Sequence, residues 1–183
     1  MEVLWVRKVV LYTLISLDGV AENPNHFIPA WDDEMDAGLG ALIATQDAVI
    51  LGRRSYDEWS QFWPKSEIEP FATFINSVTK YVATSSPLAT TWRNSVVIEG
   101  PLIEFVERLK RQPGGDIGVH ASLSVGRSLL EAGTVDELRL AIAPAIVGSG
   151  NKLFDNLPTI RFELIAGKIS SSGHLLVNYR VSK

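Results

Sequence analysis

Apolar runs of four to seven residues alternate with stretches whose apolar positions fall three and four apart, and this alternation continues to about residue 143. Val9 to Ile15 is apolar apart from Tyr12 and Thr13, which predicts a strand in the middle of a sheet covered on both faces. A loop follows from Ser16 to Trp31, with Asp18-Gly19 and two prolines. Asp32 or Asp33 then caps a helix to about Ala44, with acids in the first turn, where the helix dipole favours them. Asp47 to Leu51 predicts a second strand, and Gly52-Arg53-Arg54-Ser55 feeds a short helix ending near Trp63-Pro64. Phe71, Phe74, Ile75 and Val78 give Glu69 to Val78 a helical period. Further strands are predicted at Lys80 to Ala83, Ser95 to Ile98, Ile117 to His120 and Leu138 to Ala143. Between them lie helices from Leu102 to Arg111 and from a Ser122 cap to a Gly133 stop. Arg161 to Lys168 and Leu175 to Val181, joined through Ser170-Ser171-Ser172-Gly173, read as an antiparallel hairpin.

Strands alternating with helices form βαβ units, so the predicted fold is α/β with a mostly parallel central sheet. Helices cover both faces, and the C-terminal hairpin adds antiparallel strands at one edge. At 183 residues, with 46% hydrophobic and 21% charged positions, the chain is expected to be a single domain over 1–183. It has no cysteine, which excludes disulfides, thiol nucleophiles and cysteine zinc sites. No histidine pair has metal-ligand spacing, so no metal is expected. The net charge of −4, without a concentrated basic stretch, argues against nucleic-acid or anionic-membrane partners. Met1 to Lys8 has too few apolar residues for a secretory leader, and a cytoplasmic protein is expected.

In an open parallel sheet, ligands bind beyond the carboxyl ends of the strands. Those ends carry Ser16-Leu17-Asp18-Gly19, Gly52-Arg53-Arg54-Ser55, Thr84-Ser85-Ser86, Glu99-Gly100 and His120-Ala121-Ser122. Small residues let amides approach a phosphate, while hydroxyls and guanidiniums bind its oxygens. Any one of these turns, Gly52-Arg53-Arg54-Ser55 included, would equally suit an ordinary corner with solvated side chains. Neither the glycine-rich dinucleotide fingerprint nor the P-loop motif is present. Trp59, Phe62 and Trp63 share a helical face and are expected in the core. Asp32, Asp33, Glu34 and Asp36 read as a solvated helix start, and Ser122, Ser124 and Ser128 as cap and packing residues.

The strings Ser16-Leu17-Asp18-Gly19, Gly52-Arg53-Arg54-Ser55-Tyr56 and Lys80-Tyr81-Val82-Ala83-Thr84-Ser85 occur in this order. They are followed by Ser128-Leu129-Leu130-Glu131-Ala132-Gly133, Val135-Asp136-Glu137-Leu138, Pro144, Gly148-Ser149-Gly150 and Leu153-Phe154. Together they resemble a family related to dihydrofolate reductase: the C-terminal reductase domain of the bifunctional riboflavin-pathway deaminase/reductase, and its stand-alone relatives. The resemblance covers about Lys8 to Val181. It implies a dihydrofolate-reductase-like fold, hydride transfer from NADPH to a C=N or C=O bond, and a homodimer.

Carried over by position, Gly52, Arg53, Arg54 and Ser55 would contact the cofactor's phosphates, and Thr84, Ser85 and Ser86 its 2′-phosphate. Gly100 would join them, with His120, Ala121, Ser122, Leu123, Ser124 and Val125 along the pyrophosphate. The family has glycine where this chain has Ala121, whose methyl group resists a positive φ. Asp18 is the candidate proton relay or substrate contact, although Asp18-Gly19 also suits a simple Asx turn. Trp31 would line the substrate pocket or anchor the helix that follows. The riboflavin-pathway substrate is phosphorylated, yet Leu17 to Gln46 contains no Lys or Arg. An uncharged or amine-bearing substrate is therefore at least as well supported. A non-catalytic nucleotide-binding or scaffold domain that kept the fold is the alternative, since fold does not dictate function.

Overall fold

A computed structural model describes residues 6–28 and 30–182. The strands are β1 (Val9–Ile15), β2 (Gln46–Gly52), β3 (Thr79–Ala83), β4 (Ser95–Val97), β5 (Asp116–His120), β6 (Glu137–Ile142), β7 (Phe162–Ile169) and β8 (Leu175–Val181). They form one sheet in the order β4-β3-β2-β5-β1-β6-β8-β7. Pairing is parallel from β4 through β6, and β8 and β7 add the antiparallel edge. The helices are α1 (Asp33–Ile43), α2 (Arg53–Phe62), α3 (Phe71–Ser77), α4 (Leu102–Lys110) and α5 (Leu123–Glu131).

Alternation along the central strands divides the core into two layers, because successive side chains point to opposite faces. Val10, Val49 and Leu51 pack with Leu39 and Leu42 of α1, Tyr56 of α2 and Ile75 of α3. Val9, Leu11, Ala48 and Ile50 pack with Val106 and Leu109 of α4 and Leu129 and Leu130 of α5. Both faces of β1, β2 and β5 are thus covered, which is why these strands read as continuous apolar runs. Among the described residues, no helix is long and apolar enough to cross a membrane.

The local expectations need four corrections. Helix α3 starts at Phe71, after Pro70, and ends at Ser77, so it is shorter than the apolar period suggested. Trp59 and Trp63 pack against Phe71, whereas Phe62 is 52% exposed, because the chain tightens into a 3-10 turn at Trp63 and rotates the preceding side chain outward. The acids at the start of α1 are not simply solvated. Asp32 caps the helix through the Met35 amide (2.9 Å) and also takes the Ser172 amide (2.9 Å), while Glu34 takes the Ser171 hydroxyl (2.8 Å). These bonds fasten α1 to the β7–β8 turn. Ser122 precedes α5 but makes no side-chain cap; its hydroxyl is committed elsewhere, as described below.

Candidate functional site

Strand β2 ends at Gly52 and α2 begins at the next residue, so Arg53 and Arg54 occupy the first helical turn. The Gly52 amide donates to Ser122 Oγ (2.8 Å), and a Cβ on Gly52 would stand 3.3 Å from Val125 Cγ2. A small residue here lets the β2–α2 corner close against the start of α5. A cleft of about 430 Å³ opens at this junction, lined by Gly52, Arg53, Arg54, Ala83, Thr84, Ser85, Ser86, Leu102, Ser124, Val125 and Ser128. It lies beyond the carboxyl ends of β2 and β3, where a parallel sheet presents ligand sites.

The two arginines do different work. Arg53 holds Asp57 through Nε (2.7 Å) and uses Nη1 to grip Ser86 Oγ (2.8 Å), Ser86 O (3.2 Å) and Pro87 O (2.8 Å). It thereby shapes the loop after β3 and is only partly exposed to a ligand. Arg54 has 71% of its side chain exposed and makes two ion pairs, Nε to Glu58 (3.0 Å) and Nη1 to Glu22 (3.3 Å). Exposed pairs of this kind are weak and exchange readily. Arg54 is therefore the guanidinium free to change partners. Among the described residues, none bonds the hydroxyls of Ser85, Ser124 or Ser128. With the α5 amides behind them, these groups form a donor set suited to phosphate oxygens.

Of the residues expected from the sequence, Gly52, Arg53, Arg54, Thr84, Ser85, Ser86, Ser124 and Val125 line this one cleft, and Ala83, Leu102 and Ser128, which the sequence reading did not name, line it with them. The signal for Ser128 was its i, i+4 relation to Ser124 on α5. Six expected contacts lie outside the cleft lining. Ser55 is buried and donates to the Ala121 carbonyl (3.3 Å). Ser122 is buried on the Gly52 amide, and Leu123 packs against the core. Gly100 and Ala121 are exposed at positive φ (82° and 56°). Ala121 thus adopts the left-handed conformation in spite of its Cβ, at a cost of about 1 kcal/mol.

His120 is the largest departure. Its side chain is 2% exposed, packed edge-on to Tyr12, Phe71 and Phe74, with Nε2 2.8 Å from Gln46 Oε1. A Cβ on Gly118 would fall 2.1 Å from that Gln46 oxygen, so glycine at 118 opens the path Gln46 takes to reach the ring. Burial pushes the imidazole down to about 4, and it is neutral at ordinary pH. The ring is part of the core beside Phe71 and Phe74 and lies outside the cleft lining.

Asp18 also has a structural occupation. Its carboxylate accepts from Ser16 Oγ (2.6 Å), the Val147 amide (3.1 Å) and the Gly148 amide (2.8 Å). The Ser16 hydroxyl, then these two amides, hold its carboxyl well below the usual range. A group so firmly ionised has no proton to give near neutrality, which corrects the expectation of a proton relay. It fastens the loop after β1 to the loop after β6. The same two loops are joined by Ala21 N to Asn151 O (2.9 Å) and by Asn151 N to Glu22 Oε2 (3.2 Å). Trp31 is 41% exposed and donates through Nε1 to Asp36 (2.6 Å), so it anchors the start of α1 and does not line the cleft.

Comparison with known proteins agrees with this architecture. Residues 7–174 match the RibD C-terminal domain family. The uncharacterized protein YyaP of Bacillus subtilis (strain 168) is 29% identical over 178 residues, covering 94% of each chain. A putative riboflavin biosynthesis protein from Shewanella sp. PV-4 superposes with a TM-score of 0.79 at 17% identity, covering 96% of this chain and 99% of its own. Dihydrofolate reductase from Enterococcus faecalis, complexed with NADP(H), superposes at 0.66 with 14% identity, covering 96% and 97%.

Proposed function

Because the chain belongs to the RibD C-terminal domain family, we propose that it is an NADPH-dependent reductase acting on a small, non-phosphorylated substrate. The observation that carries this reading is the single cleft joining the first turn of α2, the Thr84–Ser86 loop and the start of α5. The cofactor, when bound, supplies a hydride to a C=N or C=O carbon. Arg54 would exchange its Glu22 and Glu58 partners for phosphate, with Ser85 and Ser86 alongside. Ser124, Ser128 and the first amides of α5 would take the remaining oxygens. Arg53 contributes by holding the Ser86–Pro87 backbone in place. The absence of Lys and Arg between Leu17 and Gln46 supports a substrate without a phosphate, since a desolvated dianion needs a cationic partner. The solvent or the substrate, not Asp18, would furnish the accompanying proton.

Titration with NADPH and NADH tests the reading. NADPH should bind more tightly than NADH, and Arg54→Ala should weaken NADPH at least tenfold (~1.4 kcal/mol). Failure of both nucleotides to bind would leave the scaffold alternative ahead, and a hydride-transfer assay then reads turnover itself. We further propose a homodimer built on the hairpin edge. Leu164, Ile169 and Leu175 expose 63%, 71% and 40% of their surface, an unusual display of large apolar side chains beside an open strand edge. Light scattering should return twice 20.1 kDa; the monomer mass would reject the pairing.

A further inference from the structure

A second cavity, of about 330 Å³, lies between α1 and strands β1, β6, β8 and β7, and it shares no lining residue with the cleft. Its floor is a cross-strand row. Tyr12 of β1 pairs in register with Arg139 of β6, and Arg139 with Asn178 of β8, so all three point to the α1 face. The row is polar where the neighbouring layer is apolar. Arg139 gives Nη2 to Glu137 (3.1 Å), but its Nε–H is buried without a partner. Among the described residues, none bonds the Tyr12 hydroxyl or the Asn178 carboxamide. Buried polar groups are almost always paired, so the buried Arg139 Nε–H, beside two half-buried polar side chains that bond nothing among the described residues, calls for a partner from outside. Burial pushes the Tyr12 phenol upward, so it stays a donor.

The roof and walls describe the remainder of that partner. Met35, Leu39 and Leu176 supply apolar surfaces suited to a flat ring. Gly38 leaves a gap in the roof, since a Cβ there would meet nothing within 4 Å. A phenol, a guanidinium and a carboxamide line one floor as donors, and two oxygens on one carbon satisfy such a set best. We propose that this cavity binds a small aromatic carboxylate, the ring under α1 and the carboxylate on the Tyr12–Arg139–Asn178 row. The site stands independently of the cleft, and its failure would leave the reductase reading untouched.

Benzoate and benzamide, titrated into the full chain and followed by amide NMR shifts, provide the test. Benzoate should shift residues of α1, β6 and β8 and bind at least fivefold more tightly than benzamide. Gly38→Leu, which fills the gap from an open helical position, should weaken benzoate at least tenfold with Tm at or above that of the parent. Asn178→Leu should weaken it similarly, with NADPH titration unchanged in both variants. No saturable shift by benzoate, equal binding of benzamide, or undiminished binding to folded Gly38→Leu would each overturn the proposal.

Discussion

Ser124→Asp is expected to reduce NADPH affinity at least thirtyfold while the fold stays as stable as the parent. Ser124 is exposed on the second residue of α5 and lines the cleft, so a carboxylate there faces whatever anion the cleft receives. Like charges about 4 Å apart repel by roughly 4 kcal/mol at an effective dielectric constant near 20, and half of that already gives a thirtyfold effect. The same substitution places an acid in the first turn of a helix, which stabilises by about 0.3–1 kcal/mol. Affinity and stability should therefore move in opposite directions. Parallel nucleotide titrations and thermal melts read both. Unchanged NADPH affinity would remove the phosphates from this end of the cleft.

The second large effect is on stability in mild acid. An unfolded histidine takes up a proton near pH 6.5, whereas His120 in the folded protein resists protonation until about 4. Between these values the unfolded state binds more protons, so stability falls as pH drops. Each pH unit in that window costs about 1.4 kcal/mol, or about 3 kcal/mol across it. Above pH 6.5 the group contributes no pH dependence. Urea midpoints measured from pH 7 to 4.5 should decline steeply, and His120→Leu should flatten the curve. A parent profile that is level down to pH 4.5 would mean that the ring reaches water. Asp18 and Asp32, whose carboxyls are held low, add their own acid loss only at still lower pH.

The elements of the sheet were legible because their signals are local. The apolar run of β1 announces a doubly covered strand, Gly52 with two arginines announces a strand-to-helix corner, and the serine-rich turn announces the hairpin. The cleft was legible at the level of segments, since strand ends in a parallel sheet must share an edge. What individual side chains do there was less so. His120 sits at the right strand end, but its fate depends on Gln46, 74 positions away, and on the space Gly118 leaves. Ser122 and Asp18 have the residue types of a ligand site, yet backbone amides from distant segments claim them first. Composition cannot distinguish a hydroxyl awaiting a ligand from one already serving the chain. The Tyr12–Arg139–Asn178 row was invisible for the same reason, as its members meet only through strand register.

The grip of Arg53 on Ser86 and Pro87 has a further consequence for the energetics of recognition. A loop assembled only on arrival of its guest would surrender conformational entropy at that moment, which erodes affinity. Here the guanidinium holds the loop when the chain folds, so its shape is set before any guest arrives. Association through this loop should proceed with little heat-capacity change beyond that of the surfaces joined, as two preformed bodies meeting.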